Sequence, residues 1–153
     1  MNFDRAFAYV VGVEGGFSDD PKDPGNWTGG AAGIGSLKGT KYGISAKAYP
    51  QLDIRNLTLA DAKAIYLRDY WTPLGCDARP WPQALCVFDC GVNQGVQRAM
   101  SLLTLIPASE QFVAAYQAER AMKYAIAPNW SMYGRGWMRR LIRTAIEASK
   151  ENA

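Results

Sequence analysis

Apolar positions recur along most of this chain with the spacing of helices. Near the start, Phe3, Phe7, Val10 and Val11 share one face of a 3.6-residue repeat, and Glu14 continues that stripe. Asn2 suits the N-cap and Asp4 the first turn, where negative charge meets the positive end of the helix dipole, and Gly15-Gly16 is the predicted stop. Thr58 with Asp61 forms a shortened capping box for a helix to about Tyr70, whose inward face carries Leu59, Ala62, Ile65 and Tyr66; Trp71-Thr72-Pro73 breaks it. Pro80 and Pro82 open the next, from about Gln83 to Val92, so apolar at Leu85, Phe88 and Val92 that a central, buried helix is predicted. Gly95 separates it from a short helix to about Ile106. Another runs from Pro107 or Ser109 to a point before Pro128, and a last one follows Gly136.

The helical pattern lapses between the first and second of these helices. Residues Gly25 to Gly43 hold seven of the chain's fifteen glycines, with β-compatible pieces at Asn26-Trp27-Thr28 and Lys41-Tyr42-Gly43-Ile44, and Ala46 to Tyr49 add one short turn before Pro50. The expected architecture is all-α, bordering on α+β: one domain over residues 1–153, with a small irregular β-hairpin lobe at about 18–45 and a helical body around it.

Composition narrows the chemistry. With 153 residues, 48% apolar and 20% charged, the chain is long enough and apolar enough for a real core. It has no histidine, which removes Ser-His-Asp and Cys-His catalysis and the commonest zinc ligand. Cys76, Cys86 and Cys90 are read as small buried hydrophobes, with a redox or metal role as the alternative. No glycine-rich segment matches a phosphate loop or a dinucleotide fingerprint. The apolar run Ala6 to Val13 is too short to span a bilayer and lacks the flanks of a signal peptide, so none is expected. A net charge of +3 without a recognised motif gives no reason to expect a nucleic-acid partner.

The candidate chemistry lies around the glycine-rich stretch. A carboxylate on an apolar helix face loses hydration, which raises its pKa and suits Glu14 to act as a general acid; the bland alternative is a last-turn Glu facing solvent. Asp19 and Asp20 are read as turn-formers, whereas Asp23, nine residues after Glu14 in Asp-Pro-Gly, is the candidate second carboxylate. Trp27 and Tyr42 offer flat faces for sugar rings, or else pack the hairpin. Asn93 and Gln94, ahead of Gly95, place two amides where a ligand could be gripped, or cap a helix. Asp89 inside the apolar helix is expected to be paired, with Arg120 or Arg98. Trp137, beside Arg135, is either part of the site or plain core.

Glu14-Gly-Gly-Phe17, Asp23-Pro-Gly25 and Thr40-Lys-Tyr-Gly-Ile-Ser45, in that order, resemble glycoside hydrolase family 108, the muramidases of phage endolysins and bacterial secretion-activator proteins. The likeness continues through Leu57-Thr-Leu-Ala-Asp-Ala62, Asp69-Tyr-Trp71, Val87 to Gly95, and Gly136-Trp-Met-Arg-Arg140. It implies a lysozyme-like fold with a substrate cleft between lobe and body. The implied activity is hydrolysis of the β-1,4 bond between N-acetylmuramic acid and N-acetylglucosamine in peptidoglycan, by a monomer without cofactor or metal, acting beyond the inner membrane after export or release. Glu14, Asp23 and Thr40 match the Glu, Asp, Thr constellation of phage-type lysozymes. Because residues 26–37 lengthen the Asp-to-Thr connection, Thr28 competes with Thr40 for the hydroxyl role. The spacing of the two carboxylates favours inversion. Asn93 and Gln94 would contact the amino sugar. A lytic transglycosylase and a non-catalytic cell-wall-binding or secretion-accessory module are the competing readings.

Charge is unevenly spread. From Arg120 onward seven basic residues face two acidic ones, a net +5 that leaves −2 for the rest of the chain. In the last helix Trp137, Leu141, Ala145 and Ala148 are predicted to face inward while Arg139, Arg140 and Arg143 face an anionic wall or lipid, or simply solvent.

Overall fold

A computed structural model describes residues 2–12, 16–107, 109 and 111–150. Among these residues there are six α-helices and one two-stranded sheet: α1 (Asn2–Val10), β1 (Thr40–Lys41), β2 (Ile44–Ser45), α2 (Leu59–Tyr66), α3 (Trp81–Gln94), α4 (Val96–Leu105), α5 (Phe112–Ala125) and α6 (Trp130–Ala148). The helical reading with a small β element is the architecture observed. No helix among the described residues is long and apolar enough to cross a membrane.

The chain divides into two compact units, Phe7–Leu67 and Met1–Ala6 with Arg68–Ala153. In the first, Phe7 meets Tyr66 edge-on with ring centroids 5.5 Å apart, and Ile44, Ala46, Ile54, Leu57, Ala62 and Ile65 complete the buried cluster. Its sheet is antiparallel, pairing Thr40 with Ser45 and Lys41 with Ile44. Tyr42 and Gly43 make the two-residue connection, both with positive φ (51° and 72°), as a hairpin of right-twisted strands demands. The capping box of α2 forms as the sequence predicts: Thr58 Oγ1 accepts from the Asp61 amide at 3.1 Å and Asp61 Oδ2 accepts from the Thr58 amide at 2.9 Å.

In the second unit α3 is the central helix, buried over most of its length and packed against α4, α5 and α6. Phe3, Trp71 and Phe88 form a three-ring cluster of edge contacts, with centroids 5.4 to 6.1 Å apart.

Three boundaries differ from expectation. Helix α1 stops at Val10, because the Val11 and Gly12 amides both turn back to the Phe7 carbonyl and Gly12 takes the left-handed φ of +85° that ends helices. The stop is thus earlier than Gly15-Gly16; Glu14 itself lies outside the described residues. Beyond Tyr66 the chain continues as a π-helical turn, Leu67–Trp71, and Trp71 is fully buried, its indole donating to Asp77 Oδ1 at 2.8 Å. Helix α6 begins at Trp130, ahead of Gly136, after which the sequence predicts its start. Gly134 is a packing residue: a Cβ there would lie 2.6 Å from the Trp130 ring.

Candidate functional site

The stretch from Phe17 to Ser45 is held by one buried amide. Asp20 makes an Asx turn, accepting from the Lys22 amide at 2.9 Å, and Asp19 pairs with Arg55 at 2.8 Å across the surface. Asp23 heads a 3₁₀ turn, Pro24–Asn26, with its Oδ1 accepting from the Gly25 amide at 2.8 Å. All three aspartates therefore have a structural partner, including the one singled out as the second carboxylate. Asp23 is exposed, and among the described residues its Oδ2 accepts no hydrogen bond.

Asn26 follows, fully buried. Its carbonyl accepts from the Lys38 and Gly39 amides, each at 3.0 Å, its Nδ2 donates to the Asp20 carbonyl at 3.0 Å, and its Oδ1 accepts from Thr40 Oγ1 at 2.7 Å. The Asp20 carbonyl can only accept, which fixes the orientation of the amide and makes Thr40 the donor in the last bond. Asp23 and Thr40 are thus joined through one residue that sequence reasoning passed over as part of a β-compatible segment. The available signal was a polar side chain directly after Asp-Pro-Gly, in a loop too glycine-rich to bury apolar groups.

Thr28, the rival hydroxyl, is committed elsewhere. Its Oγ1 accepts from the Ser36 amide at 2.8 Å, and Gly35 (φ +80°) crosses so near that a Cβ would lie 2.3 Å from that oxygen. Trp27 is half-buried, pairs with Leu37 in an isolated bridge and donates its indole N–H to the Pro21 carbonyl at 2.9 Å. Tyr42 is the one non-glycine residue with positive φ among those described; its carbonyl accepts from Tyr66 Oη at 3.1 Å. Both aromatics have the hairpin role set out as their alternative, while each stays partly open to solvent.

The remaining candidates lie at the end of α3 and on α5 and α6. Asp89, fully buried, meets Arg120, also fully buried, at 2.8 Å, an ion pair whose angle falls outside hydrogen-bond geometry. Arg140 adds a second contact, with Nε and Nη2 at 2.8 and 2.7 Å from Asp89 Oδ1. Burial is the largest single influence on Arg120 and opposes its charge, but Asp89 and the other neighbours together outweigh it, and the guanidinium pKa rises above its ordinary value. The expected pairing of Asp89 holds with Arg120 as a partner. Arg140, expected to face outward, is turned in by the same carboxylate, so only Arg139 and Arg143 of that trio are exposed.

Asn93 donates back to the Asp89 carbonyl at 2.7 Å. Gln94 Oε1 accepts from Arg120 Nε at 2.8 Å and from the Cys90 thiol at 3.4 Å. Trp137, half-buried, stacks on Tyr124 with centroids 4.7 Å apart, beside the exposed rings of Trp130 and Tyr133. The three cysteines are free and buried, and burial pushes the thiols of Cys76 and Cys86 up to about 12, as inert apolar fillers behave.

Comparison with known proteins adds two findings. The chain superposes on the solved structure titled "Structure of Brucella abortus SagA" with a TM-score of 0.75 and 23% identity, over 95% of this chain and 92% of that one, a likeness of fold. No curated protein matches it significantly. The sequence model described as Glycosyl hydrolase 108 matches residues 7–95, more than half of the chain and the span that contains the Asp23–Asn26–Thr40 linkage, the sheet, α2 and α3. On that match the chain belongs to the glycosyl hydrolase 108 family.

Proposed function

We propose that this glycoside hydrolase is a muramidase, cleaving the β-1,4 bond between N-acetylmuramic acid and N-acetylglucosamine in peptidoglycan. The observation that supports it most is the Asp23–Asn26–Thr40 linkage inside the family-matched span. Glu14 protonates the leaving oxygen. Asp23 keeps Oδ1 on its turn and offers Oδ2 to the positive charge that develops at the sugar, or to the attacking water. Thr40, whose proton goes to Asn26, can meet that water only as an acceptor, and so orients its hydrogen away from the attacking lone pair. The displacement is inverting, and proton NMR should show the α anomer as the first-formed reducing sugar. The route uses no metal or organic cofactor.

Turbidity of outer-membrane-permeabilised Gram-negative cells tests the reading, with Glu14→Gln as the control that removes the proton and keeps the shape. Wild type should clear the suspension and the variant should not; a variant retaining a tenth of the rate would dismiss Glu14 as the acid. Mass spectrometry of the products separates hydrolysis from an anhydro-forming transglycosylase. Purified peptidoglycan left uncut would indicate a binding module.

A further inference from the structure

A cavity of about 630 Å³ opens beside the α3–α4 turn, lined by polar Gln94, Gln97, Arg98, Ser101 and Lys123 and by apolar Val96, Leu102 and Leu105. Its size lies in the range of sites for organic ligands, roughly 300 to 1,000 Å³, and exceeds what a bare inorganic anion fills. Among the described residues, no aspartate or glutamate lines it.

Gln94, Arg98 and Lys123 give its polar wall donors, beside Gln97, which offers a donor and an acceptor, and Ser101, whose hydroxyl donates to the Gln97 carbonyl at 2.9 Å. Buried Arg120, itself held by Asp89, occupies Gln94 Oε1 at 2.8 Å, so the group Gln94 has left to offer is its Nε2 amide. Arg98 and Lys123 add two cations with no carboxylate beside them among the lining residues. Gly95, with φ +92°, brings the chain into α4 without a side chain to cap it, and the Ala99 amide is the first to reach back, to the Gly95 carbonyl at 3.1 Å. The amide groups of the first turn strengthen the same polarity. A ligand that satisfies the two cations is negatively charged, and one that covers Val96, Leu102 and Leu105 carries small apolar groups.

We infer that this cavity binds a short carboxylate-bearing peptide, and that the peptide is the stem carried by peptidoglycan, in which carboxylates alternate with alanine methyls. Naming that source rests on the muramidase reading; the carboxylate and the apolar contacts rest on the cavity alone. A site for the stem would favour peptide-substituted glycan over bare strands and hold the polymer at a second point.

The test is titration of the free stem tetrapeptide into the full chain, followed by calorimetry and by amide chemical shifts. Saturable binding with shifts at residues 94–102 and 123 is expected. The Arg98→Gln, Lys123→Gln double variant should raise Kd roughly tenfold, the scale of losing two part-exposed charges from one anionic ligand. Ser101→Trp, an exposed lining position, should block the cavity and remove binding. An amidated trialanine without side-chain carboxylates should bind weakly or not at all. Absence of shifts at those residues, unchanged affinity in both variants, or equal affinity for trialanine would overturn the inference. Lysis measured on the same preparations keeps the two readings apart: binding without lysis removes the muramidase alone, and lysis without binding removes the peptide site alone.

Discussion

Thr40 gives its hydroxyl proton to Asn26, across 2.7 Å between Oγ1 and Oδ1. The Asn26 side chain is buried, and the other end of its amide is held by the Asp20 carbonyl, so the direction of the bond is set by the fold. If Thr40 positions the attacking water, Thr40→Ala should slow lysis by roughly 10- to 100-fold, the usual scale for one positioned hydrogen bond in a site, and Thr40→Ser should restore most of it. Thr28→Ala should leave turnover nearly unchanged and loosen only the turn at Ser36. Asn26→Ala should lower stability by about 2 kcal/mol through the loss of a buried amide that holds the Asp20 carbonyl and the Thr40 hydroxyl, and its melting point will separate that loss from the rate effect.

Asp23 is both a turn residue and a candidate catalytic carboxylate, and two substitutions pull these roles apart. Asp23→Asn keeps an oxygen for the Gly25 amide but removes the charge; Asp23→Ala removes both. A charge role predicts that both variants lose lysis while Asn keeps the wild-type melting point. Full lysis by Asp23→Asn would reduce the residue to a turn-former.

The elements legible in the sequence are those fixed by neighbours along the chain. Thr58 and Asp61 cap α2 through each other, and Pro80 and Pro82 open α3 by geometry that any sequence context preserves. What escaped reading depends on distant residues. Arg140 looks like surface until Asp89, 51 positions away, turns it inward. The site divides the same way. Asp23 and Thr40 stand in recognisable motifs, whereas Asn26, which joins them, has meaning only once residues 20, 38, 39 and 40 are brought around it.

Glu147 supplies a pH dependence. The hydrogen bond from Lys150, opposed by slight desolvation and aided by Arg5, holds its carboxyl below the ordinary range. The folded pKa is therefore below the unfolded one, so the contribution is complete above the ordinary carboxylate pKa and disappears as pH falls through the depressed value. Glu147→Gln should be less stable than wild type at neutral pH and should converge with it in acid, by denaturant unfolding at both. A difference independent of pH would assign the effect to packing.

Asp89 and Arg120 form the most costly contact to break. Asp89→Asn should destabilise by about 3 to 5 kcal/mol, since it leaves a buried guanidinium with no full counter-charge. Replacing both residues, as Asp89→Leu with Arg120→Met, should recover much of that loss, because no fully buried charge is left unpaired and Arg140, with its side chain 34% exposed, can turn to solvent. Stem-peptide binding gives an independent readout: the double variant removes the Arg120 donor from Gln94 Oε1, leaving only the Cys90 thiol on it, and should weaken binding even where the melting point is restored.

The outer face of α6 carries Arg135, Arg139 and Arg143 at four-residue intervals, all exposed, with Met132, Ile142 and Ile146 exposed among them at 72, 55 and 57%. Such a face can gather the enzyme at an anionic polymer through charges whose reach is limited to about 8 Å at physiological salt. Replacing those three arginines with Gln should weaken sedimentation with peptidoglycan and flatten its salt dependence, with the melting point unchanged, because none of the three has a buried partner among the described residues. Arg140→Gln should do the opposite, lowering the melting point because it strips a contact from buried Asp89 while leaving the outer face charged. Sedimentation of the triple variant equal to wild type at every salt concentration would mean that the basic face is only solvated surface.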